Sequence, residues 1–127
     1  MTMIHRIVLM IVVTLTCVSC AATPSKTTST PSRIYDAPPE KVYHAAIVAF
    51  QNLGLELFKQ DQNAGYIEGG RKPGFGRGAE NVGVYIESEV PGKTKVSIEN
   101  RKAMLGYLFA VDWTDKLFQQ ISSELDK

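Results

Sequence analysis

The stretch Val82–Glu99, VGVYIESEVPGKTKVSIE, decides the fold. Val82, Val84, Ile86, Ser88 and Val90 fall on one side of an extended chain, with Tyr85, Glu87 and Glu89 on the other. A period of two is the signature of a strand with one wet face. Pro91-Gly92 supplies a tight turn, since Pro presets φ and Gly accepts a positive φ. Lys93 to Glu99 then alternates strictly, with Thr94, Val96 and Ile98 sharing a face. The pair reads as an antiparallel hairpin that needs cover on one side only.

The flanks supply that cover. Upstream, Leu55 to Lys59 alternates, Asp61 to Gly65 reads as a turn, and Tyr66-Ile67-Glu68 resumes a strand. Before these, Asp36-Ala37-Pro38-Pro39-Glu40 opens a helix: Pro is tolerated in a first turn, and Glu40 complements the helix dipole. Val42, Ala46, Ala49, Phe50 and Leu53 recur at helical spacing and Gly54 suits the position after a helix end, which predicts a helix over about 39–53. Ala45, Ala46 and Ala49 keep it slim. Ile34-Tyr35 reads as a short strand.

Downstream, Asp112 is placed to cap a second helix whose buried stripe is Thr114, Leu117, Phe118, Ile121 and Leu125. Asp115 lies in its first turn, and Trp113 reads as a core or rim aromatic. Met104 to Val111, MLGYLFAV, either extends this helix backwards or is a buried connection. The expected fold is α+β: an antiparallel sheet of about four to five strands with two helices packed on one face.

The chain has 127 residues, enough for one domain. Its 14 Lys and Arg nearly balance 13 Asp and Glu. That balance argues against a nucleic-acid partner, which needs a basic field.

The N-terminus reads as an address. Arg6 precedes Ile7–Leu15, nine residues that are apolar apart from Thr14. This is the layout of a secretory signal peptide. A membrane span needs about 20 apolar residues. Ile7 to Ala22 offers 16, five of them Thr, Ser or Cys. The segment ends in Cys17-Val18-Ser19-Cys20, which resembles the lipobox of bacterial lipoproteins. Ser19 and Val18 suit the two positions before cleavage, whereas Cys17 departs from the usual Leu. The resemblance implies removal of residues 1–19 and attachment of lipid to Cys20. Ala21, not being Asp, then implies sorting to the outer membrane, with the domain facing the periplasm. Each buried methylene contributes about 0.8 kcal/mol, so two or three acyl chains hold firmly where one is marginal. Residues 20–127 carry 13 basic groups (14 less Arg6) and 13 acidic ones, so lipid rather than charge does the holding.

Other readings of the C-x-x-C are weaker. A redox pair belongs at a helix N-terminus beside a strand. A zinc site needs four ligands, and outside this motif the chain holds only His5 and His44 as imidazoles. No metal and no cofactor is expected. Ala21 to Arg33 is rich in Thr, Ser and Pro, cannot bury a core, and reads as a tether. The expected organisation is a signal peptide at 1–19, a lipidated Cys and tether at 20–33, and one domain at 34–127.

The run YDAPPEKVYHAAIVAFQNLG, then Gly-Tyr-Ile and paired strands leading to a closing helix, resembles the helix-grip domains of the lipoprotein subunit of the outer-membrane β-barrel assembly machine. The resemblance covers residues 34–127 in order of elements. It implies a fold, a compartment, and a place among envelope proteins.

Chemistry is sparse. Gly74, Gly76 and Gly78 suggest a phosphate loop, but that motif needs a helix after it, and a strand follows. His44 lacks a nucleophile motif to serve. Glu87, Glu89 and Glu99 read as a solvated sheet face facing Lys93, Lys95 or Arg101. No catalytic residue is assigned, and an enzyme is not expected. The remaining candidate is a partner-binding loop with Phe75 as apolar anchor beside Arg71 and Arg77, residue types common at binding hot spots. The expectation is a lipid-anchored docking module for envelope proteins. The rival is a binder of a small apolar ligand, a lipid or cell-wall fragment, in a groove lined by Phe50, Val84, Ile86, Val96 and Ile98.

Overall fold

A computed structural model describes residues 30–75, 78–102 and 111–127. In chain order these form β1 (Ser32–Tyr35), α1 (Pro39–Asn52), β2 (Glu56–Asp61), β3 (Tyr66–Arg71), β4 (Glu80–Val90), β5 (Lys93–Lys102) and α2 (Thr114–Leu125). The five strands make one antiparallel sheet in the order β1-β5-β4-β3-β2, with both helices packed against it. The fold is α+β, as the hairpin pattern implies. Strand β1 begins at Ser32, so the segment read as a tether gives up Ser32 and Arg33 to the sheet edge. Arg33 has a reason to be there: its guanidinium lies 4.7 Å from the centre of the Phe118 ring.

Helix α1 starts on the two prolines, with Pro38 extended at the cap position and Pro39 first in the helix. It stops in a left-handed turn at Gly54, φ +69°. The N–H of Gly54 donates to Gln51 O and that of Leu55 to Phe50 O, both at 3.0 Å, which satisfies carbonyls the helix leaves open. Val42, Ala46, Ala49 and Phe50 are completely buried, and Tyr43 and Ala45 join them. The small side chains bring the helix close to the sheet. Gly69 on β3 completes the fit: a Cβ there would lie 2.7 Å from the Phe50 ring and 2.4 Å from Glu56 O. The ring therefore rests on bare backbone.

Val82, Val84, Val96 and Ile98 are fully buried, and Ile86 nearly so. Thr94 shares their face, and its hydroxyl donates to Ala37 O at 2.7 Å. The inward row does not continue to Ser88 and Val90 as the alternation implies. Both are exposed, and the β4–β5 register shifts between them. The cause is cover: β3 pairs with β4 only as far as Tyr85, so beyond Ile86 strand β4 has no neighbour on that side.

Helix α2 buries Thr114, Leu117, Phe118 and Ile121, as its spacing predicts. Asp112 stands one place before the cap residue, which is Trp113. Its carboxylate still serves the helix, accepting the N–H of Thr114 at 3.0 Å. Asn100 on β5 fixes this corner. Its amide donates to Asp112 Oδ1 at 3.1 Å and to Thr114 Oγ1, and its carbonyl accepts the N–H of Trp113 at 3.2 Å. The helices are tied by Asn52, which donates to Gln120 and Glu124. Residues 103–110, most of the ambiguous MLGYLFAV run, lie outside the described residues.

Adding a methyl group at Gly69 must displace Phe50 or the β2 backbone. Overpacking of this kind costs about 1–3 kcal/mol. Gly69→Ala is expected to lower the urea midpoint accordingly, with the slope unchanged. A midpoint equal to wild type would show that the ring does not rest on this backbone.

Candidate functional site

Strands β3 and β4 are joined by residues 72–79, and the cross-strand pair Arg71 and Glu80 forms the base of that loop. Phe75 is fully exposed, an aromatic ring held out in water on a Pro- and Gly-rich segment. Lys72 at the foot of the loop pairs with Glu56 at 3.2 Å, both side chains being largely exposed. Arg77 and Cys20 lie outside the described residues.

Arg71 does not stand beside Phe75 as a second contact. Its guanidinium sits 4.6 Å from the centre of the Trp113 ring, and Lys116 Nζ lies 5.2 Å from the same centre. Such contacts favour a cation over an aromatic face. Trp113 is 3% exposed, so this is packing rather than a free recognition group. The indole N–H donates to Glu80 Oε2 at 3.1 Å, and the N–H of Val111 donates to Glu80 Oε1 at 3.4 Å. Glu80 is itself 3% exposed. A buried carboxylate is costly unless its oxygens find donors, and here both do. The sequence pattern missed Glu80, because a Glu beginning a strand reads as solvated surface. The Trp at position 113 was the available signal, since a buried indole wants an acceptor.

The opposite face of the sheet carries a second polar cluster. Tyr66 and Tyr85 lie with ring centres 5.0 Å apart, over the gap left by Gly83. The Tyr66 hydroxyl donates to Glu68 at 2.9 Å and the Tyr85 hydroxyl to Glu99 at 3.3 Å. Arg101 in turn bonds Glu99 at 3.4 Å. Glu99 thus meets Arg101, one of the partners its alternation suggests, while Lys93 reaches Asp36 at 3.0 Å. Partial burial first, then the bond to Glu68 and its charge, push the Tyr66 phenol up to about 12. Burial and Glu99 raise Tyr85 as well.

The residues named for an apolar groove, Phe50, Val84, Ile86, Val96 and Ile98, are packed into one core. Ile86 also lines a cleft of about 390 Å³ at the end of the sheet where α1 begins. Polar and apolar groups line that cleft in similar measure, Glu40, Gln62, Asn63 and Ser88 alongside Pro39 and Tyr43. His44 is exposed on α1, edge-on to Tyr43. Among the described residues no group of three His, Cys, Asp or Glu could hold a metal ion, and no helix is long and apolar enough to cross a membrane.

No protein-family model matches the chain, and no curated protein sequence matches it. Among solved structures, the fold is similar to a chain in the crystal structure of the adenylate sensor from AMP-activated protein kinase, in complex with 5-aminoimidazole-4-carboxamide 1-β-D-ribofuranotide. The TM-score is 0.54 at 12% identity, covering 72% of this chain and 94% of that one. At that identity the likeness concerns the fold alone.

Two measurements check this geometry. Trp113→Phe strips Glu80 of a donor and is expected to cost about 2 kcal/mol, the range for leaving a buried acceptor unpaired. Phe75→Ser touches nothing in the core and should stay within about 0.5 kcal/mol of wild type. Equal losses for the two would contradict the assignment of one as clasp and the other as free surface. For Tyr66 the folded state holds its proton more tightly than the unfolded chain. Its contribution to stability is therefore fully present below pH 10 and is lost as pH rises through about 12. Ultraviolet titration should show Tyr66→Phe removing a late-ionising phenol. Loss of an early-ionising one instead would overturn the placement.

Proposed function

We propose that this chain is a lipid-anchored, non-enzymatic docking module of the cell envelope. In this reading Cys20 carries the lipid, residues 1–19 are removed, and the domain faces the periplasm from the outer membrane beside an envelope protein. The observation that supports docking over ligand capture is where apolar surface lies. The helix–sheet interior is occupied by its own side chains, while Phe75 stands in solvent. An isolated exposed aromatic on a loop is the kind of group that anchors a contact. The balanced charge, 13 basic and 13 acidic groups over residues 20–127, leaves attachment to the membrane to the acyl chains.

Crosslinking in intact cells, followed by affinity capture of the full lipidated protein and mass spectrometry, tests this reading. A defined envelope protein is expected in the adduct, and Cys20→Ser should release the chain from membranes and abolish that adduct. Capture of bulk lipid alone, with no protein partner, would contradict docking. Membrane retention of Cys20→Ser would contradict the anchor.

A further inference from the structure

We propose that β1 is a self-pairing edge: two copies of this chain join their β1 strands antiparallel, with Ile34 opposite the partner's Ile34. The inference goes beyond the docking reading and leaves Phe75 free for it. It takes from the reading of Cys20 only the crowding of copies on one membrane.

The sheet has two edges, β1 and β2, and they are built differently. Strand β2 is blunted. Its pairing with β3 shifts between Leu57 and Lys59, and Phe58, 42% exposed, is the residue that shift leaves out. Lys59 is exposed on the same strand, its Nζ 5.6 Å from the centre of the Tyr66 ring. A bulge and an edge Lys are devices that keep an edge from pairing. Strand β1 has neither. Its pairing with β5 runs unbroken from Ser32 to Tyr35. Its one cation, Arg33, turns inward over the Phe118 ring. Ile34 points the other way and is 57% exposed. The backbone is open as well. The N–H of Ile98 donates to Pro31 O at 3.0 Å. Antiparallel alternation then turns the N–H and C=O of Arg33 and Tyr35 toward β5, and those of Ser32 and Ile34 away from the sheet. An edge offering such groups is a template for another strand.

A second copy fits this template in one register. Strands paired about Arg33 would set it against the partner's Arg33, and like charges directly opposite destabilise. Paired about Ser32, they would leave Ile34 opposite the partner's Thr30, outside the strand. Paired about Ile34, the two isoleucines cover each other, and Arg33 stands opposite the partner's Tyr35, cation against aromatic. Residues 20–127 carry 13 charges of each sign, so the copies have no net repulsion. Length sets the strength. Strand β1 offers four residues per copy, where a standard interface engages about 20–30 a side. The pair is therefore weak in free solution. It forms where copies share a membrane surface, which raises their effective concentration.

The test is disulfide trapping in the full lipidated protein, floated on vesicles of phosphatidylethanolamine and phosphatidylglycerol. Ile34→Cys and Ser32→Cys each introduce one free thiol, because Cys17 leaves with the leader and Cys20 is acylated. Directly opposed residues of such a pair have Cα atoms about 5.5 Å apart, within disulfide reach. In this register position 32 of one copy lies four residues from position 32 of the other, about 14 Å, which is beyond it. Under oxidation with copper phenanthroline, Ile34→Cys should give several-fold more dimer than Ser32→Cys. Equal yields would show random collision and overturn the pairing. Floated protein that forms no dimer through either position would overturn it too, while leaving the anchor standing. Protein that fails to float would overturn the anchor, and the membrane-held pair with it.

Discussion

One buried carboxylate holds the outer end of this domain together. Glu80 sits where β3, β4 and β5 meet, opposite Arg71 on one side and Lys102 on the other. Withdrawing a carboxylate from water costs several kcal/mol unless donors replace the water. The two donors come from the chain returning toward α2: the N–H of Val111 and the indole of Trp113. Trp113 is therefore held at the sheet end, and Arg71 lies over its ring. Asn100 takes the next backbone N–H and orients the carboxylate that caps the helix. The start of α2, and through it the buried Leu117, Phe118 and Ile121, is fixed by this short run of polar contacts.

The same clasp separates two aromatics that look alike in a list of hydrophobic residues. Trp113 is consumed in holding the fold. Phe75 hangs on a loop whose two feet, Arg71 and Glu80, are immobilised by that clasp. A rigid base under an exposed ring lowers the ordering cost of a contact, which is the general advantage of preorganisation. The core beneath offers little room to a guest, since Phe50 rests against Gly69 and Val82, Val84 and Val96 are completely covered. Among the described residues, apolar side chains fill the core, while Phe75 is the most exposed of a set that includes Ile34, Phe58 and Val90.

Much of the architecture was legible because it follows period. The alternation of Val82, Val84, Ile86, Val96 and Ile98, and the helical spacing of Leu117, Phe118 and Ile121, place these residues in the core without further help. The two prolines and Gly54 mark the ends of α1 for local steric reasons. Alternation alone does not say where cover stops: Ser88 and Val90 share the inward parity, yet β4 outruns β3 there and both are exposed. The role of Arg71 was hidden for a different reason. Its partner, Trp113, is 42 positions away in the chain (113 less 71), and no local pattern joins them. The Tyr66 and Tyr85 pair was equally silent, because it depends on strand register across Gly83. The proposal of attachment through Cys20 rests on motif resemblance and owes nothing to the fold.

Intact-mass spectrometry of the protein extracted from membranes reaches the central claim most directly. The expected species begins at Cys20, has lost nineteen residues, and carries the added mass of a diacylglyceryl group with or without a third acyl chain. A species that retains Met1 to Ser19, or one that starts at Cys20 without added lipid, would contradict it.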